Sequence, residues 1–307
     1  MEVVHDPAEL KGRARRFCLA IGFFDGVHLG HQQILHQTVA DAGVKGAASV
    51  GVTFHRHPAT VVAPERAPRL IYPSWKRRQV LRGQGLDYLL EIPFDHEFSQ
   101  KTSEDFLAYL ETGLGSITSI CVGRGFAFGK GRAGNVDLLK GIGKEKGFHV
   151  HGLAAVALDG ETVSSTRIRG CIAEGDFDSA SQMLGHGYAF CGTVMEGVQL
   201  GRKLGFPTAN LEIDGMQTPP NGVYAIRVKH AGGTAGGVFN LGFRPTVDSG
   251  DPVLHAEAHL LDFDGDLYGQ EIEVSFLSKL RDERRFNGID ELKSQIARDI
   301  EEARDIL

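Results

Sequence analysis

The feature that most constrains the fold is a change in hydrophobic periodicity near residue 185. Before it, short apolar runs alternate with segments in which apolar residues recur at helical spacing. After it, apolar residues recur at every second position, as Tyr224, Ile226 and Val228 do. The first pattern predicts a parallel sheet with helices on its faces, and the second predicts antiparallel sheets or a small barrel. We therefore predict two domains, residues 1–184 and 185–307, divided at the turn-like sequence Leu184–Gly187.

The first half contains four strand candidates and four helix candidates. The apolar runs that predict strands are Phe17–Ile21, Ala48–Thr53, Tyr88–Ile92 and Ile117–Val122. The segments that predict helices are His31–Ala42, Pro73–Arg82, Ser103–Leu110 and Val136–Lys146. Ser103 is the predicted cap of its helix, because a hydroxyl followed by the acidic Glu104 and Asp105 satisfies the free amide end.

The second half predicts half-buried strands followed by one amphipathic helix. Within 271–276, apolar residues at the even positions alternate with two glutamates and a serine, which predicts one buried and one exposed strand face. The stripe that predicts the closing helix consists of Leu292, Ile296, Ile300, Ala303 and Leu307.

Composition narrows the classes of protein that fit this chain of 307 residues. A net charge of -6 argues against a broad nucleic-acid footprint, which usually needs a basic patch. The four cysteines are scattered without a CxxC pair, which favours reduced thiols over a disulfide framework or a zinc site. The first residues lack the apolar core of a signal peptide, and no apolar run reaches membrane-spanning length. We expect a cytoplasmic protein that binds neither nucleic acid nor membrane.

Residues 22–31, GFFDGVHLGH, follow a predicted strand and open a predicted helix. Glycines let backbone amides approach a phosphate, and the amino end of a helix favours negative charge. His28 and His31 lie three residues apart and can point at one bound anion, where imidazolium donors would stabilise charge developing during nucleotidyl transfer. The alternative is a turn that holds two histidines without a function.

This segment resembles the GxFDGVHxGH signature of the HxGH nucleotidyltransferases, in particular the adenylyltransferase half of bacterial bifunctional riboflavin kinase/FAD synthetases. The resemblance implies a Rossmann-like fold in the first half. Residues 164–169, SSTRIR, resemble the SSTxxR motif of the same family, whose hydroxyls and guanidinium suit triphosphate oxygens. The resemblance implies His28 and His31 as catalytic residues. The nucleotide-binding residues that it implies in this half are Gly22, Phe24, Asp25, Gly30, Ser165, Thr166 and Arg169.

Two further segments of the first half resemble the family with a departure in each. Residues 53–58 resemble TFxPHP, with Arg56 in place of a proline. Residues 123–134 resemble GxDFxFGKxRxG or GxNFxFGKxRxG, with Gly125 where the family usually has Asp or Asn. A lost side-chain contact at Gly125 would reduce the efficiency of adenylylation. The flavin-binding residues implied by this segment are Phe126, Phe128, Lys130 and Arg132.

Residues 197–210, GVQLGRKLGFPTAN, open a second group of motifs. Close-spaced glycines permit backbone approach to phosphates, while Thr208 and Asn210 offer neutral oxygens to a hard ion such as Mg2+ carried by ATP. The segment resembles the GxxxGFPTAN motif of riboflavin kinases, which implies a six-stranded flavokinase barrel. The nucleotide-binding residues implied here are Gly201, Lys203, Gly205, Pro207, Thr208 and Asn210, and the last two are also the implied metal ligands.

Further kinase-like segments follow in family order at 221–225, 240–246, 257–269 and 280–286. The resemblance implies that Glu257 is the base that takes the proton of the riboflavin 5′-hydroxyl as it attacks the γ-phosphate. It also implies that Arg281 contacts the flavin, with a surface pair to Asp282 or Glu283 as the alternative. The aspartates at 262, 264 and 266 predict a turn rather than a metal cluster.

The resemblance extends from Ala20 to Arg304 and implies a bifunctional enzyme of flavin cofactor synthesis. It would phosphorylate riboflavin to FMN with ATP and then adenylylate FMN to FAD with release of pyrophosphate, so its partners would be riboflavin, FMN, FAD and ATP, with Mg2+ as cofactor. Two alternatives stay open. Gly125 and Arg56 motivate a kinase with a weak or inactive adenylyltransferase domain. The second alternative is a non-catalytic flavin-binding protein, although such a protein would not need Glu257 as a base.

Overall fold

The computed structural model describes residues 1–197, 201, 204–245 and 252–307. It contains two compact units, one formed by Met1–Ile168 with Met183–Gly185 and the other by Arg169–Gln182 with His186–Leu307. Among the described residues, no helix combines the length and the apolar character that crossing a membrane requires.

The first unit is built on a parallel sheet. Its six strands are β1 (Glu2–Val4), β2 (Arg16–Ile21), β3 (Ala48–Phe54), β4 (Tyr88–Ile92), β5 (Ser116–Gly123) and β8 (His149–Leu153). Two short strands, β6 (Ala127–Phe128) and β7 (Gly134–Asn135), lie between β5 and β8 in the chain and pair with each other. A small hairpin of β9 (Ala157–Leu158) and β10 (Glu161–Thr162) follows β8. The strand order is β1-β4-β3-β2-β5-β8. All four predicted strands are present, and the two that the sequence did not predict, β1 and β8, form the edges.

Eight α-helices are described up to residue 184. They are α1 (Leu29–Lys45), α2 (Ala59–Val62), α3 (Ser74–Arg82), α4 (His96–Ser99), α5 (Ser103–Leu114), α6 (Val136–Lys146), α7 (Ser165–Glu174) and α8 (Phe177–Leu184). The predicted cap of α5 was wrong by one residue. Thr102 is the cap, because its extended backbone lets its hydroxyl accept the Asp105 amide at 3.1 Å, while Ser103 is already helical.

Both faces of the sheet are buried, as expected when helices cover a parallel sheet. Leu19 of β2 belongs to a cluster with Leu110 of α5 and Leu139 of α6. The next residue, Ala20, belongs to a second cluster with Leu35 of α1 and other residues. Successive side chains of a strand point to opposite faces, so these two clusters lie on opposite sides of the sheet.

The strand order reverses at β2. The chain proceeds from β2 through β3 to β4 on one side, and β5 and β8 lie on the other side. Loops that leave neighbouring strands in opposite directions open a crevice at the carboxyl ends of the strands, which is where ligands bind in open α/β sheets. The sequence GFFDGVHLGH directly follows β2 and therefore lies at this reversal.

The second unit is a closed antiparallel barrel. Its strands are β11 (Phe190–Met195), β12 (Ala209–Leu211), β13 (Gly222–His230), β14 (Gly233–Pro245), β15 (Pro252–Leu260) and β16 (Glu271–Arg281). They close in the order β11-β12-β15-β14-β13-β16. A final helix, α9 (Ile289–Ile306), completes the chain. The predicted fold class, a Rossmann-like α/β domain followed by a small antiparallel barrel with a C-terminal helix, is confirmed.

Strand β13 is buried on both faces, so its period-two pattern is incomplete. Tyr224 and Ile226, on one face of the strand, are 2% and 0% exposed. Val223 and Ala225, on the opposite face, are also only 2% and 0% exposed. Val223 and Ala225 form a cluster with Ala303 of α9, against which Ile300 also packs. The predicted apolar stripe of the closing helix therefore covers one face of this strand.

Candidate active sites

The turn after β2 has a strained backbone. Phe24, Gly26 and Val27 have φ values of 57°, 75° and 47°, all in the left-handed region. Non-glycine residues in this region cost on the order of 1–3 kcal/mol each and persist where surrounding contacts hold them. Asp25 supplies those contacts, because its carboxylate accepts the Ile71 amide at 3.1 Å and its backbone carbonyl accepts the Ser165 hydroxyl at 2.9 Å. The two predicted nucleotide motifs are thereby joined.

His28 and His31 stack on each other at the start of α1. Their ring centroids are 3.7 Å apart, and the rings are inclined by 18°. His28 is the N-cap of α1, and its Nδ1 accepts the His31 amide at 3.4 Å, so the proton of a neutral His28 ring lies on Nε2. Gly30 makes this arrangement possible, since a Cβ there would lie 3.2 Å from the His28 ring.

The expectation of two imidazolium ions requires a correction. Burial lowers the pKa of His28 to about 4, and burial together with the neighbouring His28 holds the pKa of His31 well below its ordinary value. Both rings are therefore neutral near pH 7 without a bound anion. His31 Nδ1 is buried without a hydrogen-bond partner among the residues that the structure describes. An orphaned polar atom beside a cavity is a position where a ligand can supply the partner.

A cavity of about 260 Å³ opens at the reversal of strand order, beside both histidines. Gly22, Phe24 and Gly30 contribute to its wall, as does the segment Leu153–Val156 after β8. Phe24 is fully buried, and its ring meets the His31 ring edge-on, with the ring centroids 5.4 Å apart. Asp25 lies outside the wall and holds the turn instead.

Gly125 and Arg124 line the same cavity. A Cβ added at Gly125 would meet no atom within 4 Å, and the backbone there does not have a positive φ. Glycine is therefore not required at this position by conformation or by space. Arg124 is exposed and brings a guanidinium to the wall that lacks the family's Asp or Asn.

The SSTRIR segment begins α7. Ser165 binds the turn after β2 as described, and Thr166 is exposed. Arg167 is held by the carbonyls of Leu158 and Glu161, at 3.1 and 3.3 Å, so it stabilises the β9–β10 hairpin. Arg169 lies further along the same helix, in the part that belongs to the second unit.

The four predicted flavin residues of the first unit have different environments. Phe126 lines the cavity and stacks on Phe128, with ring centroids 5.3 Å apart. Phe128 is buried against Phe106. Lys130 and Arg132 are exposed in a short helical turn outside the cavity wall.

A row of three polar residues crosses the barrel of the second unit. Asn210 of β12 pairs with Glu257 of β15, and Glu257 pairs in turn with Asn240 of β14. Residues in register on neighbouring strands share a face, so the three side chains are adjacent. Glu257 is 7% exposed and accepts the Thr208 hydroxyl at 3.5 Å. The sequence did not predict Asn240 as a site residue; only the strand register reveals it.

Two cavities share Thr208. The first, of about 340 Å³, is lined by Glu257 and Asn240 and by the apolar residues Leu292, Ile296 and Ile300 of α9. The second, of about 590 Å³, is lined by Pro207, Thr208 and the loop Phe263–Tyr268 after β15. Thr208 therefore lies where one cavity meets the other, and its partner Glu257 lines the first cavity. The loop 263–268 is a further candidate for which residue types alone gave no signal.

The glycine-rich loop before β12 turns back on itself. The Phe206 amide donates to the Gly201 carbonyl at 2.8 Å, and a Cβ at Gly201 would also lie 3.1 Å from the Thr208 hydroxyl. Gly205 has a φ of 92°, which favours glycine. The carbonyl of Pro207 accepts His259 Nδ1 at 2.7 Å. The predicted nucleotide ligand Lys203 lies outside the described residues.

Arg281 contributes to the wall of the 340 Å³ cavity, but its donors have other partners. Its Nε and Nη2 atoms bind the carboxylate of Asp299 on α9 at 3.0 and 2.8 Å, and its Nη1 donates to the Asp282 carbonyl at 3.1 Å. Asp299 is 3% exposed and also accepts Gln295. Arg281 thus fixes α9 as a wall of the cavity, and its guanidinium carbon lies 5.6 Å from the centroid of the Phe286 ring.

The aspartates after β15 form a turn, as predicted. Asp262 makes two contacts of 2.8 Å with Arg304, and the Asp266 carboxylate accepts the Tyr268 amide at 2.9 Å. Asp262 and Asp266 therefore have different partners. No disulfide joins any of the four cysteines within the part of the chain that the structure describes.

The fold and the two sites define a class: an α/β nucleotidyltransferase-like unit and a six-stranded barrel joined in one chain. The family model described as FAD synthetase matches residues 11–167, and the one described as riboflavin kinase matches residues 184–307. A bifunctional riboflavin kinase/FMN adenylyltransferase from Pseudomonas fluorescens is 38% identical over 99% of this chain and 97% of its own. One with the same description from Escherichia coli K12 is 37% identical over 92% of this chain and 90% of its own.

A solved structure agrees on the fold. The crystal structure of a protein described as a macrolide-efflux protein from Streptococcus pneumoniae is 27% identical, has a TM-score of 0.79, and covers 98% of each chain. The chain belongs to the family of bifunctional riboflavin kinase/FMN adenylyltransferases.

Proposed function

We propose that this protein makes FAD from riboflavin in two ATP-dependent steps, with the kinase site in the barrel and the adenylyltransferase site at the strand reversal of the α/β unit. The observation that carries the proposal is the position of Thr208, which lines both cavities, beside Glu257, which lines the 340 Å³ cavity. Phosphoryl transfer needs a base and a phosphate ligand between a nucleotide site and an acceptor site. The chain supplies both groups at this junction.

In the kinase step, the 340 Å³ cavity takes the flavin and the 590 Å³ cavity takes ATP. The first has apolar side chains of α9 that suit a flat aromatic ring system. Glu257 accepts the proton of the riboflavin 5′-hydroxyl as that oxygen attacks the γ-phosphate, and ADP leaves. Asn210 and Asn240, on either side of Glu257, offer amide groups that orient the carboxylate and the phosphate.

Mg2+ suits the oxygen donors at this junction. The Thr208 hydroxyl, the Asn210 amide and the Glu257 carboxylate are hard ligands, and Asn210 and Glu257 are partners in strand register. Thr208 and Asn210 would hold the ion against the phosphates of ATP. When bound, Mg2+ neutralises charge on the transferring phosphoryl group.

In the adenylyltransferase step, the FMN phosphate attacks the α-phosphate of ATP and pyrophosphate leaves. The cavity at the reversal takes ATP, with the amino end of α1 and the His28 Nε2 proton directed at the phosphates. Thr166 lies at the start of α7, where its exposed hydroxyl can reach phosphate oxygens, while the Ser165 hydroxyl holds the turn through the Asp25 carbonyl. Arg169 on the same helix is the proposed guanidinium ligand. Phe126 would pack on the flavin or the adenine, and Lys130 and Arg132 would meet the FMN phosphate from the exposed loop.

We propose that the two activities divide at residues 184 and 185. The riboflavin kinase family model begins at residue 184, which supports this division. A fragment of residues 185–307 should then phosphorylate riboflavin. A folded but inactive fragment would move the division upstream, toward Phe177, whose ring stacks on Phe276 at 4.6 Å. Four scattered cysteines without a CxxC pair support a cytoplasmic location.

The test is a single incubation of the pure protein with riboflavin and Mg2+-ATP, followed by separation of the flavins. FMN and FAD together support two activities. FMN alone would support the kinase with an inactive adenylyltransferase, an alternative that Gly125 favours. If neither FMN nor FAD formed, the remaining alternative would be a non-catalytic flavin-binding protein.

A further inference from the structure

We propose that Arg77 is a positioning residue for the adenylyltransferase site, where it ties the turn after β2 to the end of β3. The inference rests on the proposed adenylylation reaction. Arg77 lies on α3, and its side chain is 3% exposed. Its Nη2 donates to the Phe54 carbonyl at 2.7 Å, and its Nη1 donates to the Phe23 carbonyl at 3.3 Å. One guanidinium therefore connects two segments that are distant in sequence.

Arg77 also holds the Phe23 side chain. The guanidinium carbon lies 4.3 Å from the centroid of the Phe23 ring, and the His57 ring meets the same ring edge-on at 4.7 Å. The Thr53 hydroxyl donates to the Phe23 carbonyl at 3.0 Å, so this carbonyl accepts two bonds. The next residue is the left-handed Phe24, which begins the turn that leads to His28.

The charge of Arg77 is balanced inside the protein. Glu91 of β4, whose side chain is 4% exposed, accepts Nη2 at 3.2 Å. Burial lowers the pKa of Arg77, and the charge of Glu91 opposes that effect. A buried ion pair adds little net stability over an apolar pair of similar size, because both charges lose hydration. An apolar pair could not reproduce the geometry of Arg77, whose planar guanidinium reaches two carbonyls at once.

The consequence is a role in placing His28. A displacement of about 1 Å in a reacting group can cost about a hundredfold in rate. A lysine at position 77 keeps the charge but has one nitrogen, which cannot serve both carbonyls from one plane. We therefore expect Arg77→Lys to lower kcat for FAD synthesis by roughly ten- to a hundredfold, with a smaller change in KM for ATP and FMN. FAD breakdown by pyrophosphate should fall by the same factor.

The experiment compares four full-length variants with the parent protein. Arg77→Lys tests whether the planar guanidinium is required. The double variant Arg77→Met with Glu91→Gln removes both charges, so that neither is left unpaired. Glu91→Gln alone leaves the Arg77 charge unpaired but keeps the carbonyl contacts, so it should lower the melting temperature and retain kcat within a few-fold. Arg78→Lys is the matched control, since Arg78 is a partly exposed neighbour whose guanidinium lies 4.0 Å from Glu91. Riboflavin phosphorylation and the thermal melting curve are measured on every sample.

Loss of kcat in the Arg77→Lys and double variants, with melting and phosphorylation close to the parent, supports the proposal. Parent-level kcat in a folded double variant overturns it. Should the double variant fail to fold, Phe23→Leu removes the ring contact at a half-buried position, and parent-level kcat in both Phe23→Leu and Arg77→Lys overturns the proposal equally. A parent protein that makes no FAD from FMN would contradict the proposed function instead, so the two failures are distinguishable.

Discussion

The two candidate sites of this chain are built by opposite means. The site of the α/β unit consists mainly of one continuous stretch, residues 22–31, in which three residues have left-handed backbone. The site of the barrel consists of Asn210, Asn240 and Glu257, which are distant in sequence and adjacent through strand register. Ladder hydrogen bonds hold the second arrangement. The first needs contacts from outside its own stretch, such as Ile71 on Asp25 and Arg77 on Phe23.

The sites also differ in charge. Glu257 brings a carboxylate to the barrel, whereas burial removes the charge of both histidines in the α/β unit. A base has to accept a proton, and a carboxylate in place can do so. A ligand for phosphates can start neutral and gain charge when the anion arrives. The following predictions test whether this contrast is real.

The largest effect is expected for Glu257→Ala. Riboflavin phosphorylation should fall by on the order of 10² to 10⁴, the usual contribution of a positioned general base. Adenylylation of supplied FMN should stay at the parent rate. Glu271→Ala, an exposed carboxylate on β16 of the same barrel, is the control and should leave both rates unchanged. Full kinase activity in Glu257→Ala would remove that residue from the role of base.

Single replacement of His28 or His31 by Ala should lower FAD synthesis by roughly 10² to 10³, the usual loss for a donor aimed at developing charge. FAD breakdown by pyrophosphate should fall in parallel, because one transition state serves both directions. Steady-state rates in each direction measure this. His36→Ala, on the exposed side of α1, is the control. Parent-level synthesis in both single variants would contradict the nucleotidyltransferase assignment of HLGH.

Gly125→Asn should improve the use of ATP in adenylylation. The added side chain has open space at the cavity wall, and a hydrogen bond to a charged group contributes about 1.5–3 kcal/mol, or roughly ten- to a hundredfold. Titration of ATP at saturating FMN gives the KM, with the kinase rate as internal control. An unchanged KM would mean that another group already fills this place. Arg124→Ala, which should then raise the KM, identifies that group.

The last prediction concerns the pH dependence of stability. The pKa of His28 is about 4 in the folded protein and about 6.5 when unfolded, so the unfolded chain binds more protons between these values. Stability from this group is complete above pH 6.5 and is lost as the pH falls toward 4, by up to about 3 kcal/mol. The free energy of unfolding of His28→Gln should therefore fall less steeply over this range. Equal slopes for parent and variant would show that His28 is not buried as a neutral ring.

Much of the fold was predictable because both periodicities are strong. The four inner strands of the sheet are short apolar runs, whereas β8 carries His149 and His151 on an edge and gave no such signal. The cap of α5 was placed at Ser103 instead of Thr102, because two adjacent hydroxyls both satisfy the sequence pattern. The incomplete alternation of β13 reflects a helix on its outer face, which is a tertiary contact.

The two sites were predictable to different degrees, because one is a continuous stretch of sequence and the other is assembled from separate strands. Residues 22–31 are contiguous, so their pattern can be read directly, although the protonation of His28 depends on burial that the pattern does not contain. Asn240 and the loop 263–268 acquire meaning only when strands pair and cavities form. Arg281 lines the cavity, but its partner Asp299 lies on a helix eighteen residues later, and the sequence pattern gives no sign of that pair.

The central claim is that one chain carries two separate active sites, and complementation tests it directly. Glu257→Ala and His28→Ala proteins are each incubated with riboflavin and Mg2+-ATP, alone and as an equimolar mixture. The account predicts unchanged riboflavin with the first variant, FMN with the second, and FAD only in the mixture, because FMN made by one protein is adenylylated by the other. FAD formation by either variant alone at the parent rate, or its absence from the mixture, would contradict the account.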